Sequence, residues 1–117
     1  MHNIKQLLVW KKSIELSTSI YAAVANFPID ERFGLTSQIK RSVVSIASNI
    51  AEGAGRNGNK EFNQFLGIAN GSAYELQTQI TIAQTLNLIE ETKAVKLLNE
   101  IEEIQKMIYA LKRKLNA

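Results

Sequence analysis

The sequence has no cysteine, a single proline and a single histidine. Without cysteine the chain forms no disulfide, offers no thiolate nucleophile and lacks the ligands of the usual structural zinc sites. This composition fits a reducing cytoplasm, where we expect the protein to reside. No run approaches the roughly 20 apolar residues that a membrane-spanning helix needs, and the first residues lack the order of a signal peptide. We therefore expect no contact with a membrane.

The scarcity of histidine also argues against enzymatic and metal chemistry. Dinuclear metal sites in helical bundles need a Glu-x-x-His motif on each of two helices, whereas the only histidine is His2. A catalytic group of Asn49, Glu52 and Glu75 would lack a nucleophile or second base. The segment 53–58 matches the dinucleotide motif GxGxxG, but no predicted strand precedes it. We predict a protein that is not an enzyme and that binds no cofactor, metal or small-molecule substrate.

Helical periodicity is the dominant pattern that remains. Breaks fall at Pro28, in the Gly- and Asn-rich segment 53–59 and near Asn87. Between them lie four segments in which apolar residues recur every three or four positions, roughly 4–25, 34–54, 59–87 and 90–115. Asn59 is the expected N-cap of the third segment. Short connections force antiparallel neighbours, so we predict one all-α domain over residues 1–117, an antiparallel up-down four-helix bundle.

Polar residues follow the second helix on the face opposite its apolar stripe. Folding the second and third helices back on each other sets residues whose numbers sum to about 115 side by side. Ser45 then falls near Ser72, and Arg41 near Glu75 as a candidate ion pair. We predict a partly buried structural polar layer made of Arg41, Ser45, Asn49, Glu52, Ser72 and Glu75.

Glycines and aromatic residues indicate where helices pack. Gly67 and Gly71 form a GxxxG motif in the third helix. Because glycine in a helix costs about 1 kcal/mol relative to alanine, the pair predicts a close backbone approach by a helix of the same chain or of a second subunit.

The aromatic side chains mostly fall on the apolar stripes, so we expect them in the core rather than stacked on bases. They include Trp10, Tyr21, Tyr74, Tyr109 and the phenylalanines.

The net charge of +3 is unevenly distributed along the sequence. Residues 1–60 hold eight Lys or Arg against four Asp or Glu, whereas residues 61–117 hold six against seven. Such an excess permits a nucleic-acid contact, although a solvated basic surface is its more common origin. Arg56 and Lys60 also flank a helix N-terminus that can receive a phosphate. The candidate phosphate contacts are Lys5, Lys11, Lys12, Lys40, Arg56 and Lys60.

Two motifs carry a family resemblance. The segment Asn49-Ile50-Ala51-Glu52-Gly53 and the later Gly71-Ser72-x-x-Glu75-Leu76, within a match over about residues 4–90, resemble the bacterial four helix bundle protein family. That family is named for reading frames inside intervening sequences of 23S ribosomal RNA genes and is often labelled as ribosomal. Ala47 and Gln77 depart from the proline and glutamate of many members.

The resemblance implies an up-down bundle that assembles into a homopentameric ring. It also implies kinship with the accessory protein of diversity-generating retroelements, which binds nucleic acid and a reverse transcriptase through a basic surface. We therefore expect a non-catalytic oligomeric module that binds RNA or nucleoprotein. The alternative is a protein-interaction scaffold that recruits another protein through its ring surface.

Overall fold

Four α-helices form the fold in the computed structural model, which describes residues 2–116 apart from the Lys5 side chain. They are α1 (Leu8–Val24), α2 (Leu35–Ala54), α3 (Asn59–Thr85) and α4 (Glu91–Asn116). Each helix packs against two others, α1 and α3 both lying between α2 and α4, and the α2–α3 contact is the most extensive. No strand occurs within residues 2–116. The predicted all-α four-helix bundle is confirmed.

The start of α1 differs from the prediction. Ile4–Gln6 form a 3-10 turn, and Leu7 is extended before the helix begins at Leu8. The reason is a tertiary contact, because the backbone N–H of His2 donates to the carbonyl of Ala54 at 2.9 Å. That bond ties the first residues to the end of α2 and satisfies one of its last carbonyls.

Both ends of α3 are defined by backbone geometry. Gly58, in extended conformation, is the N-cap, so the prediction of Asn59 was wrong by one residue. Asn59 is helical, and its side chain bonds the His2 ring at 3.2 Å. At the other end Asn87 adopts a left-handed φ of 60°. The Asn87 N–H donates to the carbonyl of Gln84, and the Leu88 N–H donates to the carbonyl of Ala83. This pair of hydrogen bonds is the Schellman motif.

One hydrophobic core joins all four helices. Its fully buried large side chains alternate along the inner faces at helical spacing. They are Leu16 and Ile20 of α1, Ile39, Ile46 and Ile50 of α2, Phe62, Leu66, Leu76 and Ile80 of α3, and Ile101, Ile104 and Ile108 of α4. None of the helices in the described part of the chain has the length and apolar character needed to cross a bilayer.

Among the glycines of α2 and α3, Gly53 has the tightest surroundings, rather than either glycine of the GxxxG motif. A methyl group at Gly53 would sit 2.7 Å from Phe65 Cβ and 2.9 Å from Phe62 Cδ1. At Gly67 it would meet only the Lys112 amino group, at 3.2 Å, and at Gly71 it would meet nothing within 4 Å. The predicted approach by a helix of the same chain was therefore wrong at this motif, and approach by a second subunit stays a prediction.

Several aromatic side chains lie outside the core, contrary to expectation. Phe62 is fully buried and Trp10 packs partly against the core, but Tyr21, Tyr74 and Tyr109 are exposed. A tyrosine at the edge of an apolar stripe keeps its hydroxyl hydrated, which periodicity alone does not reveal. Phe33, 90% exposed, precedes α2 and belongs to no stripe.

Candidate nucleic-acid interface

Three separate segments of the chain meet at one end of the bundle. The start of α1, the α2–α3 connection and the end of α4 come together because the helices alternate in direction. The His2 ring packs on Phe62 with 4.8 Å between centroids, and the Lys112 amino group lies over Gly67 of α3. We call residues 2–11, 52–61 and 107–116 the basic end.

Positive charge is concentrated at the basic end. It holds seven Lys or Arg against two Glu, a net charge of +5. The rest of the chain holds seven against nine, a net of −2. Comparing the two halves of the sequence missed part of this asymmetry, because Lys112, Arg113 and Lys114 join the end only through the fold. The alternation of helix direction was the signal that could have placed them there.

Two of the predicted phosphate contacts lie free at the basic end. Lys11 and Lys60 are exposed, and neither forms an ion pair within the described residues. Arg113 and Lys114, at the end of α4, are also exposed and form no ion pair within the described residues. Four cations are therefore open to an anionic partner. The Lys5 side chain lies outside the described part of the structure.

Arg56 has carboxylate partners on both sides. Its guanidinium lies 2.9 Å from Glu52 and 3.8 Å from Glu61, and 5.0 Å above the centroid of the Phe65 ring. It thereby links the end of α2 to the start of α3. A phosphate at Arg56 would compete with two carboxylates.

Lys12 is held by α4. Its Nζ lies 2.8 Å from Glu103 Oε1. The hydrogen bond to this carboxylate, followed by the carboxylate's charge, raises the pKa of Lys12 above its ordinary value of 10.5. Lys12 stays charged at neutral pH, but its charge is already matched.

Lys40 belongs to a different region. Its Nζ lies 4.9 Å from the centroid of the Tyr21 ring. Lys40 lies 14 positions before Ala54, the last residue of α2, so the two residues are about 20 Å apart along the helix axis. The six candidates therefore do not form one surface.

The polar layer is partly assembled between α2 and α3. The hydroxyl oxygens of Ser45 and Ser72 are 2.8 Å apart, in the register that the sequence predicted. Asn49 Nδ2 donates to both the carbonyl and the hydroxyl of Ser45, at 2.9 Å each. Glu52 lies apart from this network, because its carboxylate binds Arg56.

The predicted ion pair between Arg41 and Glu75 is absent. Both side chains are exposed and line an open groove of about 460 Å³ beside the serine pair, and no ion pair joins them. An ion pair between exposed side chains is hardly more stable than the two charges hydrated separately, so little free energy favours its formation. Gln79, only 8% exposed, lines the same groove with an Oε1 atom that has no hydrogen-bond partner.

No cluster of three or more His, Asp or Glu residues suited to a metal ion occurs within the described residues. The departure at Gln77 has a structural counterpart, because Gln105 Nε2 of α4 donates to Gln77 Oε1 at 2.8 Å. An amide at position 77 accepts this bond without adding a charge between α3 and α4.

Comparisons with known proteins agree with this architecture. A crystal structure described as a protein of unknown function from the S23 ribosomal protein family of Bacteroides thetaiotaomicron is similar to this chain, with a TM-score of 0.81 at 26% identity. The match covers 90% of this chain and 98% of that one. No curated protein matches. The family described as 23S rRNA-intervening sequence protein matches over residues 5–110. The chain belongs to the 23S rRNA-intervening sequence protein family.

Proposed function

We propose that this protein is a non-catalytic module that binds RNA or nucleoprotein through its basic end. The observation that carries the proposal is the net charge of +5 gathered from three segments, together with four exposed cations that no carboxylate of the described residues holds. The family name, which refers to an intervening sequence of 23S rRNA, makes RNA the polyanion to test first.

The binding mechanism would be electrostatic. Each ammonium or guanidinium that contacts a phosphate releases condensed counterions, so affinity falls with salt. Contacts by Lys11, Lys60, Arg113 and Lys114 give a slope of log K against log[salt] of about −3 to −4. His2 is engaged with Asn59 and Phe62 rather than with a carboxylate, which supports a structural role for the only imidazole.

The test is a titration of a labelled 23S rRNA fragment at several salt concentrations, read by fluorescence anisotropy. We expect Lys11→Gln combined with Lys60→Gln to reduce the slope by about 1.5 to 2, because two phosphate contacts are lost. Lys93→Gln combined with Lys96→Gln is the matched control, since it removes the same charge from exposed positions in the first turns of α4. A slope near zero for the unmodified protein, or equal losses in both variants, contradicts the proposal.

A second candidate function is a scaffold that recruits another protein. The α2–α3 groove supports it, because the exposed Arg41 and Glu75 side chains line it and form no ion pair within residues 2–116. Pull-down of a defined partner that survives nuclease treatment, and is lost on Arg41→Ala with Glu75→Ala, would favour this function over RNA binding. Loss of every partner on nuclease treatment would count against it.

We also propose that the protein self-associates, in a ring of five as the family resemblance implies. An exposed stripe on α3 supports self-association, since Ile68 and Ile82 lie on the outer face with the uncovered Gly71 between them. The two isoleucines are about four helical turns apart, and a second copy of the chain that packed along this face would cover both.

A further inference from the structure

A second region combines positive charge with exposed rings, away from the basic end. It is a hollow of about 600 Å³ between α1 and the start of α2. Side chains from both helices and from the preceding turn line it, including Tyr21, Arg32, Phe33, Thr36, Lys40 and Arg41. We call it the aromatic hollow.

The rings of the aromatic hollow are accessible. Phe33 is 90% exposed and Tyr21 is 44% exposed. The Phe33 ring contributes almost nothing to the core and is therefore accessible to a binding partner. The two rings present flat apolar surfaces on opposite elements, one before α2 and one on α1.

The cations of the aromatic hollow are unpaired. The Arg32 guanidinium lies 5.4 Å from the Phe33 centroid, and the Lys40 ammonium 4.9 Å from the Tyr21 centroid. In the described part of the chain neither cation forms an ion pair, nor does Arg41. No carboxylate lines the hollow. Thr36 also lines the hollow, and its hydroxyl oxygen is buried without a hydrogen-bond partner.

We propose that the aromatic hollow binds single-stranded nucleic acid, with bases stacked on Phe33 and Tyr21 and phosphates at Arg32, Lys40 and Arg41. Charge complementarity selects an anion, and the two exposed rings select one that carries flat faces. A duplex does not fit, because its bases are stacked on one another and closed to side chains. This inference rests on the proposed RNA binding and adds a single-strand contact about 17 Å from the basic end, because eleven helical steps separate Arg41 from Glu52.

The test compares labelled oligouridylate of about 12 nucleotides, a length within the usual site size, with blunt duplex RNA of equal length. We expect Phe33→Ala to weaken binding of the single strand about 5- to 150-fold, as for the loss of one stacked base. The salt slope should stay unchanged, because no phosphate contact is removed. Duplex binding should also stay unchanged. Since Phe33 is almost fully exposed, the substitution leaves the core intact.

Two variants control for the ring itself. Ile29→Ala removes apolar bulk from a position in the same turn that is 78% exposed, and binding should persist. Phe33→Trp keeps a flat face and should retain binding. Unchanged single-strand affinity in Phe33→Ala, an equal loss in Ile29→Ala, an equal loss for duplex, or equally strong competition by polyglutamate would each overturn the inference.

The same experiment separates this inference from the proposed function. If Lys11→Gln with Lys60→Gln weakens RNA binding but Phe33→Ala does not, the aromatic hollow fails while the basic end stands. If the unmodified protein binds neither probe at low salt, both fail.

Discussion

At the scale of single residues, Gly53 sets how closely α2 and α3 pack. Adding a methyl group would press on Phe65 Cβ and on Phe62, whose backbone oxygen lies 3.2 Å away and cannot rotate aside. We expect Gly53→Ala to lower the free energy of unfolding by about 1 to 3 kcal/mol through overpacking. Urea denaturation followed by circular dichroism measures it.

Gly71→Ala is the matched control for this prediction. It makes the same change in a helix interior where nothing lies within 4 Å, so helix propensity should raise the free energy of unfolding by about 1 kcal/mol. A Gly53→Ala protein as stable as the unmodified one would show that the α2–α3 contact is adjustable.

The sequence could not distinguish these glycines. Gly53 sits in a Gly- and Asn-rich segment that predicts a turn, yet it is helical and buried. Gly71 sits in a GxxxG motif that predicts contact, yet it is exposed. The two glycines differ in the atoms that face them from the neighbouring helix, and these depend on the tertiary structure. Ser45 and Ser72 meet as predicted because the short α2–α3 connection fixes which residues face each other. The same connection does not determine whether the Arg41 and Glu75 side chains form an ion pair.

At the scale of helices, the Lys12–Glu103 ion pair links α1 to α4. Because the pKa of Lys12 is raised above 10.5, Lys12 keeps its charge throughout the neutral range, and on the alkaline side the ion pair is lost as pH rises through that raised pKa. We expect Glu103→Gln to release Lys12 for a phosphate and to steepen the salt slope of RNA binding by about 1.

Glu102→Gln controls for the charge change, since Glu102 is exposed and has no ion-pair partner among the residues that the structure describes. It should raise affinity slightly through the net charge without changing the slope. Equal slopes in the two variants would show that Lys12 takes no part in binding.

Helix boundaries followed from local signals wherever local chemistry decides them. Pro28 follows the end of α1, and the glycine-rich connection follows the end of α2. Asn87 ends α3 because asparagine tolerates the left-handed backbone conformation that closes a helix. The start of α1 was missed because it depends on a hydrogen bond to Ala54, which is 52 positions from His2 in the sequence.

At the scale of the whole molecule, the α3 stripe predicts self-association. Ile68→Glu should shift the protein to a smaller species in light scattering, because a carboxylate would have to be desolvated in an apolar interface. Leu8→Glu, an equally exposed apolar position on α1, should leave the mass unchanged. Monomeric mass for the unmodified protein at all concentrations would exclude the ring.

The separation of charge along the bundle has a kinetic consequence. A molecule about 43 Å long with +5 at one end and −2 over the remainder has a large electric dipole, which its net charge of +3 understates. The electric field of a polyanion orients such a protein before contact, so that the basic end faces the polyanion in the encounter complex. Association should therefore be fast and oriented at low ionic strength, and should slow as salt shortens the range of that field.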